Sequence, residues 1–518
     1  MTSQNLPERP SLENLKKQAK SLLHAARAQD PEALQRFRIL PAPARKTADL
    51  ALHDAQSVIA REHGFKSWNE MRQHIEERTL SFAAAVEEFV RCATGSAPTR
   101  AMRLLAMHPG IAHASLQTEL VLGDAPAVIA RLQKNPEAAR QAGGIQNWEP
   151  LLYVCHTCLH HDAPQRAAGL VEIARALLAH GANPNAEYHW NWHRELPRTA
   201  LWAALCTTSH LPLAQVLLEG GANPTDGVST HITAGSGNLA ALELLLRFGL
   251  NVDGIPNGLP PLRYILGWAD KDSGVRWLLD HGANPNLPWG ELNDAPLHVA
   301  AQRWNVSMIE LLVKSGADIQ QRRADGRTAH TLSELHGNRE IAEWLLAHGA
   351  RSELSQLERF IAICARGDRA GGESMLRSEP GLRHELRREH HLMMHVPAER
   401  GDAKVLEAML VCGFNPNEKD GDGVTALHRA AMAGHAHAAR VLIERGAAVN
   451  ALDGMFSGTP LLWAAEGWSH DSDGANYVEV ARALIAAGSS REWIPPEKAP
   501  DPEGTQVKLA ELCRAAGV

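Results

Sequence analysis

The chain has 518 residues, 44% of them apolar, which is too long for one ordinary core and too apolar for a disordered polymer. Its net charge of -7, with both signs interspersed, carries no basic footprint for nucleic acid. No apolar run approaches the roughly 18 residues needed to cross a bilayer, and the seven scattered cysteines fit a reducing compartment, so a cytoplasmic location is expected.

Met1–Pro10 is polar and has no secretory h-region. The stretches Ser11–Leu34 and Asp54–Glu76 then read as a small helical module, residues 1–78, whose last helix opens on the capping box Ser67-Trp-Asn-Glu70. Lys16, Lys17 and Lys20 lie on a solvated helix face rather than at an anion site. Residues 79–143 read as degenerate helix pairs: Glu119–Arg140 keeps Gly-Asp and apolar spacing but lacks the turn signature of the later units. Such units cap an array.

From about Gly144 to Ser490 one phrase recurs, a Leu-Leu helix end followed by Gly-Ala and then Asn or Asp. It reads LLAHGANPN at Leu177–Asn185, LLDHGANPN at Leu278–Asn286 and LIERGAAVN at Leu442–Asn450. The glycines keep register, with 33 residues from Gly249 to Gly282, 34 from Gly282 to Gly316 and 33 from Gly413 to Gly446. Gly349 to Gly413 is 64, so a worn repeat lies near Leu357–Leu382, between a block at 144–351 and one at 388–490. We place the worn unit at 352–387 and a proline-rich hinge with a terminal helix at 491–518.

The residues explain the unit. In Asp422–Ala431, Asp-Gly supplies a tight turn, Thr425 stands where a hydroxyl caps the next helix, and Ala430 and Ala431 permit close approach. Val441, Leu442 and Ile443 give the outer helix an apolar face, and Gly446 accepts the left-handed conformation that ends it. Nine readable units of this kind resemble ankyrin repeats, whose period is near 33 residues. The whole chain also resembles a bacterial ankyrin-protein type with a small N-terminal helical module. The resemblance implies an all-α ankyrin-repeat solenoid of stacked helix pairs with short β-hairpin fingers. It further implies a protein-binding scaffold that grips a protein or peptide in a concave groove. It supplies no cofactor and no catalytic residue.

Departures from the period mark candidate sites, because insertions map to loops on one face. Extra residues fall around His160–Gly169 and Gly467–Tyr477, and the finger after the first clear repeat is long. That finger carries Tyr188, His189, Trp190, Trp192 and His193. Tyr153, Tyr264 and Trp463 fall at the variable position before the small Ala pair, which in ankyrin stacks faces the concave side. Trp289 is in another finger and Tyr477 in the last insertion. Large amphipathic rings at such places are expected to anchor a partner; the competing expectation is that they fill gaps between imperfect repeats.

Cys155 and Cys158 form a C-x-x-C beside His156, His160 and His161, but no second ligand pair follows at zinc spacing, so no metal is expected. His298, His395 and His428 stand at the His of the Thr-Pro-Leu-His pattern and are expected to tie fingers to helices. His180, His281 and His348 precede closing glycines at helix C-termini. The alternative to a scaffold is an enzyme or small-molecule binder with an aromatic and His-rich pocket near residues 150–200, walled by the Tyr188–His193 finger, Tyr153, His156, Tyr264 and Trp202.

Overall fold

The computed structural model describes all residues except 1–5, 7–9, 41–49, 96, 162, 190–196, 269–271, 469–474, 492, 494–501 and 518. Helices make up nearly all of its regular structure. The strands among the described residues are Glu187–Tyr188 and Arg198–Thr199, antiparallel, with Glu187 opposite Thr199. Single bridges close two further fingers, at Gly143–Trp148 and Trp289–Asp294. The expected all-α fold of ankyrin helix pairs with short hairpin fingers is therefore the one observed. None of the described helices is long and apolar enough to cross a membrane.

The chain forms two compact units, one of Met1–Thr233 with Ala240–Leu250 and one of Ala234–Leu239 with Asn251–Val518. In the first unit, helices Leu12–Arg27, Pro31–Arg36, Leu52–Glu62 and Trp68–Thr79 share a small core built on Leu15, Leu22, Val58, Ile59, Met71 and Ile75. Ser67 accepts from the Glu70 amide at 3.1 Å, as a cap should, but the Glu70 carboxylate reaches back to the Lys66 amide at 2.7 Å, not to Ser67. Glu77, fully buried, ties this region onward by pairing with Arg100 at 3.3 Å and accepting from Arg103 at 2.8 Å.

The repeats are built as their residues dictate. Helix Pro296–Arg303 opens on Pro, which loses no bond at a first helical position. Ala300 and Ala301 are fully buried where neighbouring inner helices meet. The outer helix Val306–Lys314 buries Met308, Ile309 and Leu312, each worth roughly 2 kcal/mol of apolar transfer. Gly316 then turns left-handed at φ 96°. His298 accepts the Ala295 amide on Nδ1 at 3.0 Å and donates from Nε2 to the Gln321 carbonyl at 2.8 Å, joining its own helix to the next finger. His428 does the same between Thr425 and Gly458.

Two expectations need correction. The Thr425 hydroxyl does not cap its helix through a backbone amide; it lies 2.9 Å from His428 Nδ1, which takes over the cap. His395 faces the next finger without the two-ended hydrogen-bonded tie: its Nδ1 lies 3.7 Å from the Asp420 carboxylate, and its Nε2 is buried without a hydrogen bond. His390, nearby, accepts the Arg387 amide at 3.0 Å. His395 nevertheless keeps the period, 18 residues before Gly413 as His428 is before Gly446. Helices Gln356–Ala365 and Arg369–Ser378 pair in the stretch where the period lapses.

The Asn that stands four residues after a closing glycine has a structural role across repeats. Asn417 accepts from the Ala448 amide at 2.7 Å and donates to the Gly446 carbonyl at 3.0 Å. Asn286 repeats this with Asp318 and Gly316, and Asn450 with Ser490 and Gly488. Each amide satisfies an orphan carbonyl at the next helix end.

Candidate binding sites on the fingers and inner helices

Trp463, the sequence candidate before the last Ala pair, lines a cavity of about 360 Å³. The cavity is assembled from four stretches: Met432 at the end of helix Ala426–Met432, Met455 and Phe456 in the finger, Leu462, Trp463 and Glu466 on helix Pro460–Trp468, and Trp493, Thr505 and Lys508 beyond. One buried side chain organises it. Asp453 accepts the Met455, Phe456 and Gly458 amides at 2.8, 2.6 and 2.8 Å, and the Trp463 indole N–H at 2.9 Å. A carboxylate holding four donors fixes both the finger and the ring beside it. Trp493 is fixed in turn, its Nε1 donating to the Phe456 carbonyl at 3.0 Å. Glu466 takes both oxygens to Lys508, at 2.9 and 3.0 Å. The Arg429 guanidinium stands 5.9 Å from the Trp463 ring and pairs with Asp420 at 3.1 Å.

Only Trp463 of this group was singled out from sequence. The signal for the rest is the finger composition: Asp-Gly-Met-Phe at 453–456 places apolar side chains where Ala324–Arg327 and Asp420–Gly423 carry polar ones and glycine. What sequence does not show is that Trp493, thirty residues on, returns to the same place.

Earlier in the same unit, Trp289 is 37% exposed on its finger, held by paired backbone bonds to Asp294 at 3.1 and 3.0 Å. The Arg263 guanidinium lies 5.4 Å from its ring. Asp294 also faces Arg263 at 3.7 Å and Arg323 at 3.2 Å, so the Trp289 finger is clamped by charge. Burial pulls the Arg263 guanidinium below its ordinary range, and Asp294 opposes that pull. Tyr264, next to Arg263 on helix Pro261–Trp268, is half-buried.

Of the residues proposed for a pocket, Tyr153, His156, Tyr188 and Trp202 come together in the first unit, whereas Tyr264 belongs to the second. Trp148 centres the group, its ring 5.5 Å from Tyr153, 4.7 Å from His156 and 4.6 Å from Tyr188. Trp202 lies 6.3 Å from His156, with the Arg198 guanidinium 4.3 Å from its ring. The sequence reading missed Trp148. His189 is exposed and 3.9 Å from Glu187, while Trp190, Trp192 and His193 lie outside the described residues.

Tyr153, expected on the binding face, is fully buried. Its hydroxyl donates to the Gly143 carbonyl at 2.8 Å and accepts the Gln146 amide at 3.3 Å, so it pins its own finger. Tyr477 is likewise corrected: it belongs to helix Ala475–Ala486, sits in the core and donates to the Met432 carbonyl at 3.1 Å. For these two rings a buried structural role is observed, Tyr153 within its own finger and Tyr477 between repeats.

His156 donates from Nδ1 to the Leu152 carbonyl at 2.9 Å, which leaves Nε2 as a bare acceptor, buried without a partner. Burial pushes its pKa down to about 4. An imidazole so far below neutral pH is a poor general acid–base catalyst, which works best near ambient pH. Cys155 is fully buried and burial pushes its thiol far up, opposite to the direction of a thiolate ligand. No group of three ligating side chains suited to a metal occurs among the described residues.

Comparison with known proteins supports the repeats themselves. The family described as ankyrin repeats, in three copies, matches residues 271–356 and 392–491. The human ankyrin repeat and SOCS box protein 11 is 34% identical over 137 residues, 26% of this chain and 40% of that protein. Mouse rabankyrin-5 is 26% identical over 164 residues, 30% of this chain and 14% of the relative. The crystal structure of the human ASB11 ankyrin repeat domain covers 46% of this chain and 100% of its own, at 25% identity and a TM-score of 0.35. The chain thus spans about 40% of the length of the first curated relatives it matches, and those named are eukaryotic.

Proposed function

We propose that this ankyrin-repeat chain is a binding scaffold that recognises a protein or peptide partner through its fingers and inner helices. The observation that carries this reading is the Trp463 cavity, where Asp453 holds the finger and the ring in place before any partner arrives. Such preorganisation lowers the ordering cost of binding. The ankyrin relatives support a protein partner, and the net charge of -7 is the ground for setting nucleic acid aside.

The test is capture from native extract by the full chain, read by mass spectrometry, against a Trp463→Ala, Phe456→Ala variant that melts normally. Partners lost in the variant support the reading. The same partners captured by both would overturn it for this site and favour the inserted finger, where Trp190 and Trp192 remain proposed anchors.

The domain scheme is part of the proposal: a module at 1–78, caps at 79–143, repeat blocks at 144–351 and 388–490 around the worn unit, and a terminal segment at 491–518. So is the likeness to a bacterial type with an N-terminal module, which rests on that module alone. A cytoplasmic location is proposed from the seven cysteines, all of which are free. Cell fractionation checks it.

A further inference from the structure

We infer that the cavity beside Trp463 receives one uncharged apolar side chain of a partner peptide, of the size of leucine, methionine or phenylalanine. The inference rests on the protein-binding reading and adds the chemistry of the anchor.

Both indole N–H groups and both charged side chains of the walls are committed within the protein. Trp463 Nε1 is held by Asp453 and Trp493 Nε1 by the Phe456 carbonyl, so the two indoles offer ring surface rather than N–H donors. Glu466 and Lys508 neutralise each other across the side of the cavity. A charged ligand would have to break that pair and desolvate its own charge beside one of the two like-signed groups. An apolar side chain disturbs no bond and gains contact with Phe456, Leu462 and both indoles. The local charge is balanced, and it favours a neutral anchor over either sign.

Shape points the same way. A volume of about 360 Å³ admits any of these side chains together with the peptide backbone that carries it. The thioethers of Met432 and Met455 let the walls follow side chains of different outline. The rigid part of the wall, from Asp453 to Trp463, keeps the entrance formed.

The test uses the full chain labelled at its methionine methyls, with Met432 and Met455 assigned by Met→Leu variants. The probes are N-acetyl-leucinamide, N-acetyl-phenylalaninamide, N-acetyl-lysinamide and N-acetyl-aspartamide. Saturable millimolar shifts of these two methyls with the apolar probes, at least ten-fold weaker with the charged ones and lost in Trp463→Ala while the other methyl signals stay in place, support the inference. Equal response to a charged probe, or none to the apolar probes up to their solubility, overturns it. Sedimentation showing a wild-type dimer that Trp463→Ala turns to monomer also overturns it, since a second copy would then be the occupant. If extract partners depend on Trp463 yet the cavity prefers charge, this inference falls and the scaffold reading stands. If the cavity binds the apolar probes yet no partner depends on Trp463, the scaffold reading falls and the chemistry of the cavity stands.

Discussion

Asp453 accepts the indole proton of Trp463 at 2.9 Å while the same carboxylate gathers the Met455, Phe456 and Gly458 amides. A single buried charge thereby couples a finger to the inner helix that follows it. Asp453→Ala strands three amides and an indole, at about 1–3 kcal/mol for each group left without a partner. The expected result is a melting temperature several degrees lower, with amide-exchange protection lost at 455, 456 and 458. Unchanged protection at those amides would show that the finger holds itself.

The asparagine bridges between repeats predict a local effect of another kind. Asn417→Ala removes two bonds to the next repeat, those to Ala448 and Gly446. We expect a loss of about 1–2 kcal/mol in urea denaturation and faster exchange at the Ala448 amide. Asn417→Asp, which keeps the acceptor and loses the donor, should fall between wild type and alanine.

Gly467 lies on helix Pro460–Trp468 where an added Cβ would press on the Met432 carbonyl and the Tyr477 ring. Alanine is the better helix former, yet Gly467→Ala is expected to destabilise the chain by about 1–3 kcal/mol through overpacking. A variant as stable as wild type would show that the two helices can part without cost.

His156 gives a pH dependence. Its folded pKa is pushed down to about 4 by burial, whereas in the unfolded chain it is near the ordinary value of about 6.5. The unfolded state therefore takes the proton first. Stability from this residue is complete above pH 6.5, declines as pH falls, and is fully lost below about pH 4; between pH 7 and 5 the loss is about 2 kcal/mol. His156→Phe should flatten the urea-midpoint profile by that share, while His395, also pushed down to about 4, keeps part of the slope. An identical slope in the variant would mean that His156 is already accessible to protons.

For the N-terminal module, a chain starting at residue 80 should still unfold cooperatively, because the later helices have their own buried residues. It loses Glu77, however, which leaves Arg103 without its partner and Arg100 with Glu88 alone. A chain starting at residue 64, which keeps helix Trp68–Thr79, should melt higher. Aggregation of both would place the module inside the cap.

Much of the architecture was legible because repeats write their structure locally. A 33-residue spacing of glycines, each needing positive φ after an apolar helix, determines where outer helices end, and the Thr-Pro-Leu-His pattern determines where inner ones begin. The small Ala pairs determine which face packs. These are properties of neighbouring residues, and the helices of the structure follow them. Solvent exposure of the aromatics was decided elsewhere. Tyr153 and Tyr477 occupy positions that read as surface, yet each finds a backbone carbonyl to cover, at Gly143 and Met432, and burial with a satisfied hydroxyl is more favourable than exposure. Trp463 kept an open side because Asp453 took its N–H and Trp493 closed the far wall. That difference depends on residues brought from tens of positions away, and only the tertiary structure decides which ring becomes core and which becomes a site.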